Sequence, residues 1–181
     1  MATVIRTHFT GVIHHVYGRG NNRQSIFHDD EDRRFFLNWL EKIKREEQLK
    51  IYAYCLMTNH YHLLIESFEK SLSAVMVRIL TAYAQRFHRI RGTVGHVFQG
   101  RYGARVCPRN AYFLTALKYI HLNPIEAGLV PQPSDWPWSG HRDLAIGTPG
   151  LIDQQFPLSY FSDKTEEARY RYREFLGDLV I

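Results

Sequence analysis

The chain has 181 residues, 45% of them apolar and 14% aromatic, which is enough for one hydrophobic core in one domain and too little for several. No apolar run approaches the roughly 20 residues that span a bilayer, and Met1–Thr10 lacks the apolar centre of a signal peptide. Cys55 and Cys107 are too far apart for a metal-type pair, so a reduced, cytoplasmic protein is expected, with Cys55 as a small core residue. The net charge of +5 is unevenly spread. Residues 1–69 carry nine basic and nine acidic side chains, residues 70–125 nine basic and none acidic, and residues 126–181 five basic and nine acidic. An acid-free basic block of this length suits a polyanion, with nucleic acid the usual partner; a merely solvated basic surface is the competing reading.

Val12–Val16 reads as a short β-branched strand followed by a turn-rich basic loop, Tyr17-Gly18-Arg19-Gly20-Asn21-Asn22-Arg23. Glycine and asparagine tolerate positive φ, so this loop can bring backbone, Arg19 and Arg23 close to a ligand. His14 and His15 are adjacent and fall on opposite strand faces, so at most one can join a shared site. Asp29 or Asp30 caps a helix running to about Glu47, with Phe36, Leu40 and Ile43 on its core face. Leu49–Met57 and His60–Ile65 form a hairpin across Thr58-Asn59. Ser71 caps the next helix, whose apolar positions from Leu72 to Phe87 have the cleanest helical spacing in the chain, leaving Arg78 and Arg86 off the stripe.

Gly95–Val106 alternates glycine, aromatic and arginine residues, including Phe98, Arg101, Tyr102 and Arg105. This composition suits a strand-like arm that stacks on bases and tracks phosphates, or a plain edge strand. Asn110 caps a third helix, predicted to run to about Leu122. Tyr112, Ala116, Tyr119 and Asn123 share one of its faces. In Asn123-Pro124-Ile125-Glu126-Ala127-Gly128 the asparagine reads equally as the cap of a short following helix. A last amphipathic helix runs from about Thr165 to Leu176. The order of elements predicts an α+β sandwich with helices on one face of a mainly antiparallel sheet.

In a strand, His60 and His62 project together while Tyr61, Leu63 and Ile65 project the other way, so two imidazoles can converge on one cation. Tyrosine hydroxyls are poor nucleophiles at neutral pH, their ordinary pKa being about 10. A metal that polarises the attacked phosphate can offset this, which makes Tyr119 a candidate nucleophile. The Asn123 amide, one turn further on, can reach the same ion. Glu66 is a further candidate ligand or base, although a salt bridge is the plainer role.

Gly18-Arg19-Gly20-Asn21-Asn22-Arg23, Met57-Thr58-Asn59-His60-Tyr61-His62-Leu63, Gly95 to Tyr102 and Tyr119-Ile120-His121-Leu122-Asn123-Pro124 resemble the REP-associated tyrosine transposases. These are relatives of the single-strand insertion-sequence transposases in the HUH endonuclease class. The resemblance runs from about residue 8 to residue 145. It implies a ferredoxin-like sheet, His60, His62 and Asn123 as metal ligands for Mg²⁺ or Mn²⁺, and Tyr119 as the nucleophile. It also implies cleavage of single-stranded DNA near palindromic hairpins through a 5′-phosphotyrosine, with rejoining by a 3′-hydroxyl. Thr58, Tyr17 and Glu126 depart from common family residues (proline, threonine and arginine), and the last is expected to weaken one DNA contact.

The expected organisation is a nuclease domain over residues 1–145 and an extension over 146–181 packed on it. Arg19, Arg23, Arg78, Arg86, Arg101, Tyr102 and Arg105 are the candidate DNA contacts. The protein is expected in the cytoplasm with the nucleoid, as a monomer or homodimer. The alternative function is a non-catalytic DNA- or RNA-binding module on the same fold, which would have no need of the set His60, His62 and Tyr119.

Overall fold

The computed structural model describes residues 11–68 and 70–178; Met1–Thr10, with its expected lack of a signal-peptide centre, and the first residues of the family resemblance lie outside the described residues. Strands β1 (Val12–Arg19), β2 (Lys50–Leu56), β3 (His60–Ser67) and β4 (Gly103–Val106) form one antiparallel sheet in the order β2-β3-β1-β4. Helix α1 (Asp30–Glu46) lies between β1 and β2, and α2 (Leu72–Arg91) between β3 and β4. This β-α-β-β-α-β order is the ferredoxin-like arrangement. Helices α3 (Ala111–Glu126), α4 (His141–Ile146), α5 (Gln155–Leu158) and α6 (Thr165–Leu176) follow.

Local chemistry starts both crossover helices. The Asp29 carboxylate accepts from the Asp32 N–H, and the Ser71 hydroxyl from the Ala74 N–H. Phe36, Leu40 and Ile43 of α1 and Val75, Met76 and Ile79 of α2 are fully buried. Tyr61 of β3 meets this layer with its ring 5.4 Å from Phe36. The Tyr61/Leu63/Ile65 face of β3 is therefore the α1–α2 face, and each of these large side chains contributes about 1.5–3 kcal/mol by burial. The opposite face carries α3. Its Phe113, Leu117 and Ile120 are buried, Phe113 with its ring 5.8 Å from Tyr52 of β2.

Three expectations change here. Helices cover both faces of the sheet and not one, because α3 has its own apolar stripe of Phe113, Leu117 and Ile120 to bury against the face that α1 and α2 leave open. Helix α3 does not stop at Leu122. It continues through Pro124 to Glu126, and the Ala127 N–H bonds the Asn123 carbonyl at 3.0 Å. Proline this close to the helix end forfeits only one backbone hydrogen bond, and Gly128, at φ 68°, closes the helix. Asn123 is thus an interior helical residue and not a cap. Nor does Gly95–Val106 form an arm: only Gly103–Val106 is strand. Phe98 packs with its ring 6.2 Å from Tyr61 and 6.1 Å from Tyr83, and Tyr102 is buried. Tyr102 belongs to the interior and the partly buried Phe98 packs against it, so burial outweighs any gain from waiting exposed for a base.

The polypeptide after α3 closes the outer edge of β2. Leu56 N–H bonds the Trp138 carbonyl at 2.8 Å, Gly140 N–H the Tyr54 carbonyl at 3.0 Å, and Asp153 N–H the Ile51 carbonyl at 2.7 Å. Ile152, Leu158, Ala168, Tyr172 and Leu176 add to the same core, so residues beyond 145 share it. A buried relay ties this part to α3. Tyr172 Oη lies 2.7 Å from His121 Nδ1 and 2.9 Å from His141 Nδ1, and His141 Nε2 lies 2.6 Å from the Asp178 carboxylate. Proton counting gives it a direction. The carboxylate accepts from His141 Nε2–H, which leaves Nδ1 to accept the Tyr172 O–H, and His121 Nδ1–H then donates to the phenol oxygen. His121 Nε2 is left as a bare lone pair, consistent with its lack of a protein partner.

Candidate active site

Register places the polar side chains of the α3 face. Tyr17 pairs with His62, Arg19 with His60, and His15 with Arg105 of β4. Directly paired residues share a sheet face, so His15, Tyr17, Arg19, His60, His62 and Arg105 all face α3. On that helix Tyr112, Thr115, Ala116 and Tyr119 look back at them, and the two layers enclose an open cavity of about 670 Å³ with Gln99 and Arg101 at its rim. Close approach needs glycine at one point: a Cβ on Gly103 would overlap the Tyr17 ring.

The two histidines and the asparagine meet. His60 Nε2 lies 3.0 Å from Asn123 Oδ1, and the His60 and His62 rings have centroids 5.2 Å apart, nearly perpendicular. The other His60 nitrogen, Nδ1, donates to Asn59 Oδ1 at 2.7 Å, while Asn59 Nδ2 donates to the Arg23 carbonyl at 3.1 Å. Asn59 is therefore fixed with its oxygen toward His60. Burial lowers the His60 pKa, partly countered by the Asn123 contact, so the ring is neutral with a single N–H. That proton sits on Nδ1, and Nε2 presents a lone pair to the Asn123 amide. Either Asn123 turns its nitrogen to Nε2, or the two lone pairs share a cation.

His62 and His15 are held neutral more strongly. Burial, then the neighbouring His15, His60 and Arg19, takes His62 down to about 3; burial, then Arg105, takes His15 to about 4. His15 Nε2 faces His62 Nδ1 at 3.0 Å, and His62 Nε2 makes no hydrogen bond among the described residues. Tyr119 is 42% exposed, with its ring 5.3 Å from His62 and 5.9 Å from His15. It is an exposed phenol beside the imidazoles; the half-buried Tyr17, its ring 5.5 Å from His15 and 6.2 Å from His62, is a second phenol there.

These donors suit a divalent cation. Two donors at right angles about 2.1 Å from an octahedral ion stand about 3 Å apart, which is the His60–Asn123 separation. Among the described residues no group of three or more His, Cys, Asp or Glu side chains is placed to hold a metal ion, so the candidate set is two imidazoles and one amide. Two imidazoles and an amide would leave coordination positions open to phosphate.

The other sequence candidates divide. Arg19, Arg101 and Arg105 line the cavity. Arg23 stands in the adjoining exposed loop, where Asn22 and Arg23 itself have positive φ of 48° and 59°. Arg78 is away from the cavity, paired with Glu46 and Glu47, and Arg86 with the buried Asp32 at 2.8 Å. Tyr102 lies in the core. Glu66, buried at the other end of the face, pairs with Arg109 and accepts from the Tyr52 hydroxyl. Sequence reasoning gave too little weight to His15 and Asn59. Only strand register brings the first to His62, and only the hairpin geometry aims the second at His60.

No helix among the described residues is long and apolar enough to cross a membrane. The family description "Transposase IS200 like" matches residues 8–123. The REP-associated tyrosine transposase of Escherichia coli (strain K12) is 25% identical over 132 residues, 69% of this chain and 70% of that protein. A solved structure of a REP-associated tyrosine transposase bound to a REP hairpin superposes with a TM-score of 0.66 at 22% identity, covering 83% of this chain and 90% of that one. The fold is shared with that structure, and over most of its length the chain belongs to the IS200-like transposases, a family of DNA-processing enzymes.

Proposed function

We propose that this transposase cleaves and rejoins single-stranded DNA beside palindromic hairpins through a covalent tyrosine–DNA intermediate. The observation that carries the reading is the convergence of His60 Nε2 on Asn123 Oδ1 at 3.0 Å, with Tyr119 on the same helix one turn away. The Tyr119 hydroxyl gives up its proton as its oxygen attacks phosphorus, the bond from phosphorus to the 3′-oxygen breaks, and that oxygen takes up a proton, so the strand leaves as a free 3′-hydroxyl. The phosphate stays on Tyr119 as a 5′-phosphotyrosine. Attack by a 3′-hydroxyl reverses the step and joins strands without a nucleotide cofactor.

His60, His62 and Asn123 would hold Mg²⁺ or Mn²⁺. When bound, such an ion supplies Lewis-acid polarisation of the phosphate and charge balance for the leaving oxygen. The protein's own part is positional. Asn59 holds the His60 ring, α3 sets the angle of Tyr119, and Arg19, Arg101 and Arg105 supply positive charge along the cavity for the flanking phosphates. The hairpin-bound solved relative supports DNA of that shape as the partner.

The test is incubation with a single-stranded hairpin oligonucleotide labelled on the 3′ side, plus Mg²⁺, followed by a denaturing gel. A covalent adduct should form with the natural protein and vanish in Tyr119→Phe, whose DNA affinity should stay within about 2-fold, because one hydroxyl is all that is removed. Adduct persisting in Tyr119→Phe would assign the nucleophile elsewhere.

A further inference from the structure

His60 and His62 differ in what stands behind them. Behind His60 is an amide oxygen, Asn59 Oδ1, which can only accept, so the His60 proton is drawn to Nδ1 and Nε2 is left bare. Behind His62 is a second imidazole, with His15 Nε2 at 3.0 Å from His62 Nδ1. A nitrogen facing a nitrogen at that distance holds one proton between them. If the proton sits on His62 Nδ1, His15 accepts it and His62 Nε2 presents a lone pair to the cavity. If it sits on His15 Nε2, the neutral His62 carries its own proton on Nε2 and cannot bind a cation there.

We infer that His15 is the positioning residue for His62, accepting its Nδ1 proton so that Nε2 faces the cavity as a ligand for a divalent cation. This rests on the metal-dependent reading above and adds a residue to it. The sheet makes the arrangement rigid. His15 is on β1 and His62 on the neighbouring β3, and the rings are 5.1 Å apart, tilted by 39°. His15 also lines the same cavity, with Arg105 beside it in β4. A histidine that binds metal through one nitrogen typically gives the other N–H to a fixed acceptor, and loss of that acceptor costs about 10–100-fold in metal affinity. Here the acceptor is an imidazole where a carboxylate or carbonyl is usual. It orients the ring without adding a negative charge that would repel the DNA phosphate.

The experiment uses the whole chain without DNA. Long-range ¹H–¹⁵N correlation spectra report the His62 tautomer in the metal-free protein, and Mn²⁺ titration followed by electron paramagnetic resonance reports affinity. The natural protein should show His62 protonated on Nδ1. His15→Phe, similar in size but with no acceptor, should bind Mn²⁺ about 10–100-fold more weakly, and His15→Gln, whose amide oxygen accepts, should recover most of the loss. A His62 proton on Nε2 in the natural protein, or natural Mn²⁺ affinity in His15→Phe, would overturn the assignment. Should His15→Phe fail to fold, the tautomer spectrum and the His15→Gln titration still decide it. A natural protein that binds no Mn²⁺ at all would sink the metal reading itself, a failure distinct from unchanged affinity in the variant.

Discussion

The salt dependence of DNA binding can be worked out from the ion pairs. Residues 70–125 contain nine cations and no acid. If all nine met phosphates, log K against log salt for a single strand would have a slope of about −6, from roughly −0.7 per neutralised phosphate. The fold spends most of that charge on itself. Lys70 and Arg78 pair with Glu47, Arg86 and Arg91 with Asp32, and Arg109 with Glu66. Lys118 donates to the Phe175 carbonyl. Arg89, Arg101 and Arg105 form no ion pair among the described residues, and Arg101 and Arg105 line the cavity with Arg19. Three to five phosphate contacts then give a slope of about −2 to −3.5. The assay is fluorescence anisotropy of a labelled single-stranded oligonucleotide between about 50 and 300 mM salt, a range within which surface charge is progressively screened. Arg105→Ala should flatten the slope by about 0.7, and Arg78→Ala should leave it unchanged. A slope near −6, or equal effects of the two substitutions, would refute the argument that ion pairing withdraws most of this basic segment from the DNA.

Other consequences are open to measurement. Tyr172→Phe strands two buried imidazole nitrogens, at about 1–3 kcal/mol each, so urea unfolding should show a loss of about 2–6 kcal/mol; a loss under about 1 kcal/mol would mean that water or a shift of α6 replaces the hydroxyl. Lowering the pH should destabilise the metal-free fold. The unfolded histidines take protons near 6.5, whereas folded His15 and His62 resist until about 4 and about 3, so the unfolded state binds more protons and stability falls from pH 6.5 downward by on the order of a few kcal/mol. Asp143, raised by burial from 3.8 to about 6, acts in the opposite sense between those values. The comparison is therefore with His62→Gln, whose stability should fall less between pH 6.5 and 4.5; parallel curves would remove His62 as a cause, leaving His15 and the other buried histidines, His121 and His141. Gly103→Ala forces the Tyr17 ring off His15 and His62, with an expected loss of about 1–3 kcal/mol in the same urea assay, and no loss would mean that Tyr17 swings aside freely.

How much of this was readable in the sequence depends on the range of the interaction. Periodicity found α1 and α2 because their apolar stripes and caps are local, and alternation put His60 and His62 on one face for the same reason. Strand register is not local. His15 was one of two adjacent histidines with opposite directions, and only the pairing of β1 with β3 and β4 shows which of them meets His62. Composition misled where burial decides. The arginines and aromatics of residues 70–106 have the makeup of a nucleic-acid surface, yet Arg78, Arg86, Phe98 and Tyr102 serve the fold through partners far away in sequence. At Asn123-Pro124 a cap signature lost to tertiary packing, and the helix continued.

The chain running along β2 has a further consequence, for how copies of the protein behave together. A sheet can recruit strands from other molecules through unpaired margins. Here one margin is already filled by backbone bonds from Leu56 to Trp138, Tyr54 to Gly140 and Ile51 to Asp153. The other ends in β4, Gly103–Val106, shorter than the six or seven residues from which stable stacked β-assemblies grow. Neither margin offers a template, so the sheet should resist ordered self-association at concentrations where an open ferredoxin-like edge would invite it.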